Sequence, residues 1–208
     1  MARETIFLDI DTQWDFVMAE GAAPVPGAFA LVPNWERLTR TARANDIQVI
    51  ATAQSLPAGD PRFGEATPWC VAGTPGSVQV PATRPKAGVV LANRPATAAE
   101  LEKLTRESRE IVVETTGPDL LTHPSMEALL KGTKQVYLFG LFADEAVLKA
   151  ARELRRMGLA VVLVTNATCT RSQEPNALEA AIADIVALGA ERKTTMEVMT
   201  RYAAVKRH

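Results

Sequence analysis

The sequence predicts a three-layer α/β/α fold, in which a central parallel sheet of about six strands carries helices on both faces. Two observations predict it. Short apolar, β-branched runs alternate with longer segments of helical period, and 47% of the 208 residues are hydrophobic, enough to bury a large core. The expected organisation is a single domain over 1–208, without internal repeat or second-domain linker.

The elements follow in order. The first strand is expected at 5–10, where Ile6, Phe7 and Leu8 lead into two acidic residues, and further strands at 47–52, 88–91, 110–113, 135–139 and 160–165. Between them the 3.6-residue period predicts helices at 29–43, 97–107, 125–131, 143–157, 177–188 and 195–206. In the 143–157 helix, Ala143, Ala146, Val147, Ala150, Leu154 and Met157 share one face, while Lys149, Arg152, Arg155 and Arg156 form a solvated one. Residues 54–85 break this rhythm with six prolines and four glycines, and are expected to form a long ordered loop of the kind that carries binding groups.

Charge and composition exclude several classes. With 23 basic and 24 acidic residues the formal net charge is −1, so neither nucleic acid nor an anionic membrane surface is an expected partner. No apolar run is long enough to span a bilayer, and Met1-Ala2-Arg3-Glu4 leads directly into a strand, so a cytoplasmic protein is expected. Cys70 and Cys169 lie far apart and form no metal-type pair; each is expected to be a reduced thiol.

In a parallel α/β sheet, ligands bind beyond the carboxyl ends of the strands. The residues there are Asp11, Gln54, Thr115, the segment 141–146 and Asn166. Asp9 and Asp11 are two apart, which places both carboxylates on one side of the first strand, for catalysis or for loop anchoring.

Four segments, in this order, resemble the isochorismatase-like cysteine hydrolases, the family that includes nicotinamidases. Asp11-Thr12-Gln13-Trp14-Asp15-Phe16 is similar to the family's first-strand motif, and Val25-Pro26-Gly27-Ala28 follows it in the family manner. Asp60-Pro61-Arg62-Phe63 and the 68–76 segment Pro-Trp-Cys-Val-Ala-Gly-Thr-Pro-Gly resemble the active-site loop, and 140–147 resembles the segment that carries the nucleophile.

That resemblance implies acyl transfer to a cysteine thiolate, with an aspartate as general base and a lysine holding the pair. Asp11 falls on the aspartate, but Thr115 (or Glu114, with a shift of one residue) falls on the lysine and Ala146 on the cysteine. A methyl group cannot attack a carbonyl, so the expectation is a family fold without its inherited reaction. The relatives' metal ligands fall on Gln54, Leu56 and Trp69, of which the last two offer a divalent cation no suitable lone pair; no metal and no other cofactor is expected. Trp14, Phe16, Trp69, Leu141 and Phe142 are expected to line the cleft, and the N–H groups of the turn around Ala146 suit a small carbonyl or carboxylate ligand. The alternative is an active hydrolase of a small amide that uses Asp11 with a relocated thiol, Cys70 or Cys169. The resemblance also implies self-association into a homo-oligomer; Met196, Val198, Met199, Tyr202 and Val205 suit either such an interface or ordinary core packing, with core packing the first expectation.

Overall fold

In the computed structural model, which describes residues 4–205, seven strands form one sheet. They are β1 (Thr5–Ile10), β2 (Gln48–Gln54), β3 (Val89–Leu91), β4 (Glu110–Thr115), β5 (Gln135–Leu141), β6 (Ala160–Cys169) and β7 (Glu191–Lys193). Every pairing is parallel, in the order β3-β4-β2-β1-β5-β6-β7. The sheet has one strand more than the sequence suggested. Glu191-Arg192-Lys193 has no apolar signal, because it is an edge strand whose charges face water and blunt further pairing.

Ile6, Phe7 and Leu8 of β1 are all buried, as are Val136, Tyr137 and Leu138 of β5. Consecutive apolar residues can all be buried only in a strand covered on both faces, which explains why these runs are continuous rather than alternating. The chain leaves β1 toward β2 on one side and occupies β5 on the other. The loops that follow β1 and β5 therefore diverge from the point where the sheet order reverses, the usual position of a binding crevice.

The helices are α1 (Trp14–Val17), α2 (Val32–Ala44), α3 (Ala98–Glu107), α4 (Met126–Leu129), α5 (Leu148–Arg156), α6 (Ala177–Ala187) and α7 (Thr195–Val205). Lys206, the expected end of the last helix, lies outside the described residues. Thr97 and Glu100 close a reciprocal cap at the start of α3. The segment expected as one helix over 143–157 divides: Ala143–Val147 is a wider π-helical turn, and α5 begins only at Leu148. Gly140, at φ 119, permits this arrangement, since a Cβ there would collide with the backbone of Ile10. The end of β5 thus lies directly against the end of β1.

Candidate functional site

Asp11 follows the last residue of β1 in a left-handed backbone conformation, φ 53, which interrupts the strand alternation. Its carboxyl is turned onto β2. Thr52 Oγ1 donates to Oδ1 at 2.6 Å and Gln54 Nε2 donates to Oδ2 at 2.8 Å, while the Asp11 N–H donates to Thr52 Oγ1 at 3.2 Å. Burial is the largest influence on Asp11 and pushes its pKa up; the bonds from Thr52 and Gln54 pull it down, and the charge of Glu145 pushes it up again. Asp11 is therefore compensated by a hydroxyl and an amide from β2.

Thr115 reaches the same place from β4, in register with Gln54, but its Oγ1 is buried without a hydrogen-bond partner among the described residues. Ala146, 1% exposed, brings its methyl group from the π-helical turn. Asp11, Thr115 and Ala146, together with Thr52 and Leu120, wall a cavity of only about 10 Å³. Such a volume holds a single water at most. Thr115, rather than Glu114, is the residue of β4 that lines it.

Asp9 and Asp11, two apart in sequence, have different partners. Asp9 Oδ2 accepts from Thr12 Oγ1 at 2.7 Å, and that hydroxyl meets Thr83 Oγ1 at 2.6 Å. Asp9 Oδ1 is buried and unpartnered. Burial pushes the Asp9 carboxyl up to about 8; the Thr12 bond opposes this and the nearby Asp11 charge adds to it.

None of the five side chains expected to line a cleft walls the Asp11 cavity. Phe16 and Phe142 are core residues, stacked edge to face at 5.0 Å, and Leu141 is fully buried. Trp69 is only partly buried and stacks edge to face on Phe63 at 4.8 Å, while Trp14 is half-buried at the start of α1. Leucine 141 and the two phenylalanines look like cleft residues in sequence because they border motif positions; in the fold, their apolar surface is spent on packing. In the turn after β5, the N–H groups of Glu145 and Val147 both donate to Phe142 O and are not free for a ligand carbonyl.

The positions aligned with metal ligands do not fit a metal. Gln54 is committed to Asp11, Leu56 is fully buried beside Cys70, and Trp69 packs on Phe63. Among the described residues no group of three or more His, Cys, Asp or Glu side chains is placed to hold an ion. His123, the one histidine described, spends Nδ1 on the Ser125 N–H and Nε2 on Ala92 O.

The two thiols are free and buried. Burial raises the Cys70 pKa far above the usual thiol range, and raises that of Cys169 to about 12 with help from Asp144. Arg171, close in sequence to Cys169, instead holds its guanidinium over the Phe142 ring at 4.6 Å.

Sequence reasoning missed the work of Gln13, Asp15 and Gln54. Gln13 Nε2 donates to Gln54 O and Ser77 O, and its Oε1 accepts from Gln54 N–H. Asp15 accepts from Cys70 N–H at 2.7 Å and Ala22 N–H at 3.1 Å. Gly76 approaches so closely that a Cβ would overlap the Asp15 carboxyl. The first-strand motif contained Gln13 and Asp15 all along; their regular spacing after Asp11 was the available signal.

A family model described as Isochorismatase domain matches residues 5–100 and 90–197. Among solved structures, an isochorismatase family protein from Desulfovibrio vulgaris subsp. vulgaris str. Hildenborough is 25% identical, with TM-score 0.77 over 97% of this chain and 99% of its own. An isochorismatase-like hydrolase from Alkaliphilus metalliredigens is 19% identical, with TM-score 0.77 over 96% and 99% of the two chains. The pyrazinamidase of Pyrococcus horikoshii, solved in complex with zinc, is 20% identical, with TM-score 0.74 over 92% and 99%. A comparison with curated proteins gives no match. Among the described residues no helix is long and apolar enough to cross a membrane.

Proposed function

The chain belongs to the isochorismatase family, and we propose that it is a member without the hydrolytic reaction, serving by binding rather than by turnover. The observation that carries this reading is the cavity of about 10 Å³ walled by Asp11, Thr115 and Ala146. A space for one water admits no carboxamide, and the methyl of Ala146 supplies no nucleophile. Removal of the nucleophile from a catalytic unit costs about 10⁶ in turnover in a serine protease, a loss that Asp11 alone does not recover.

The buried thiols support the same reading. A nucleophilic cysteine needs a depressed pKa and access to substrate, whereas Cys70 and Cys169 are buried and shifted in the opposite direction. Gln54 adds a further argument, because its amide occupies the Asp11 oxygen that a general base needs for accepting a proton.

The test is an assay of the purified protein for hydrolysis of nicotinamide, isochorismate and simple carboxamides. The expected result is no turnover above buffer. A rate that disappears in Asp11→Ala would overturn the proposal, and one that disappears in Cys70→Ala or Cys169→Ala would replace it with a relocated thiol nucleophile.

A further inference from the structure

A second cavity, far larger than the one at Asp11, opens between α2 and the turn at 81–86. It measures about 680 Å³, within the roughly 300 to 1,000 Å³ range of small-molecule sites. Val32, Ala44, Pro81 and Ala82 give it an apolar floor, and Glu36, Arg40, Arg43 and Lys86 stand around it.

The two walls are fastened together at several points. Glu110, only 8% exposed, accepts from Arg43 Nε at 2.8 Å through Oε1 and from the Lys86 N–H at 2.9 Å through Oε2. Arg43 also donates to Arg84 O at 3.0 Å, and Thr39 Oγ1 donates to Ala82 O at 2.8 Å. A helix and a turn held this way keep the groove open in the absence of ligand, so little ordering is left for binding to bring about.

The charges around the groove are unequal. Glu36 pairs with Arg40 at 2.7 Å and Glu110 with Arg43 at 2.7 Å. The Lys86 ammonium has no ion-pair or hydrogen-bond partner among the described residues. One uncompensated cation above an apolar floor selects for opposite charge and apolar bulk in the same molecule.

We propose that this groove binds a small organic anion, its carboxylate or phosphate head held by Lys86 and its apolar body laid on the floor of Val32, Ala44, Pro81 and Ala82. The site is separate from Asp11, so the presence or absence of hydrolytic turnover has no bearing on it.

Fluorescence titration with 8-anilinonaphthalene-1-sulfonate, a sulfonate with an apolar body, tests the site. Binding is expected to saturate at one probe per chain, with amide NMR shifts concentrated at Ala44, Ala82 and Lys86. Lys86→Glu reverses an exposed charge without touching the core and is expected to weaken binding about tenfold. Lys103→Glu, the same reversal on the exposed face of α3, is expected to leave it unchanged. Benzoate or phenyl phosphate should displace the probe and benzyl alcohol should not, and the stronger of the two anions identifies the head group. Non-saturable binding, equal effects of the two reversals, displacement by the alcohol, or shifts elsewhere would each overturn the proposal.

Discussion

Asp11 and Asp15 are four residues apart, both buried, and served in opposite ways. Asp15 accepts two backbone N–H groups, from Ala22 and Cys70, and a glycine at 76 leaves room for its carboxyl. Asp11 is met by two side chains from β2, near the unpartnered hydroxyl of Thr115 and the methyl of Ala146. The first set of contacts fixes the path of the chain: with Gln13, it ties α1 and the 54–85 loop to the end of β2. The second set joins the residue after β1 to β2 and reaches none of the loops. The two carboxylates of one motif thus rest on different partners, Asp15 on backbone N–H groups of the loops and Asp11 on side chains of β2.

The difference is most directly tested by removing each carboxyl. Asp15→Ala leaves a buried N–H at Cys70 and a part-buried one at Ala22 unpaired, and an unsatisfied buried donor costs about 1 to 3 kcal/mol, so a loss of about 3 kcal/mol is expected in chemical denaturation. Asp11→Ala should cost less than half as much, since removing a carboxyl that burial disfavours offsets the loss of its two bonds. Equal costs would erase the distinction between anchor and vestige.

A smaller effect concerns Asp9, which lies on β1 two residues before Asp11 and has an oxygen without a partner among the described residues. Its folded pKa, about 8, is well above the ordinary aspartate value of about 4. The native state therefore holds a proton that the unfolded chain releases. The corresponding stability is present in full below pH about 4, falls as the pH rises, and is gone once the pH passes about 8. Asp11, also raised by burial, contributes with the same sign. Asp9→Asn removes one of the two titrations, so the variant should show a flatter fall in Tm between pH 5 and 8 and melt several degrees above the parent at pH 8. Parallel Tm curves for the two proteins would show that Asp9 does not titrate in this range.

Much of this was legible in advance, for reasons that differ by residue. The continuous apolar runs of β1 and β5 identify strands buried on both faces, and strand-end positions identify Asp11, Thr115 and Ala146 as neighbours. The polar edge strand β7 left no such pattern. Gln54 appeared in sequence as a strand-end residue and as a position aligned with a metal ligand; its bond to Asp11 depends on the register of β2 against β1 and on the φ of Asp11, neither of which a linear pattern encodes. Phe16 and Phe142 were misplaced because an aromatic residue next to a motif reads the same whether it lines a cleft or fills a core.

Thr115→Val gives the smallest effect and the finest test of the comparison. Valine has nearly the shape of threonine, so the change removes the hydroxyl while keeping the packing around the cavity. A buried hydroxyl without a partner has lost its hydration and gained nothing in return, so its removal should be neutral or stabilise the fold by up to about 1 kcal/mol. The same measurement on Thr52→Val should go the other way, because that hydroxyl donates to Asp11 and accepts from its N–H. If Thr115→Val instead destabilises as much as Thr52→Val, the Thr115 hydroxyl has a partner in the cavity, and the floor of the site is maintained as carefully as the loops that surround it.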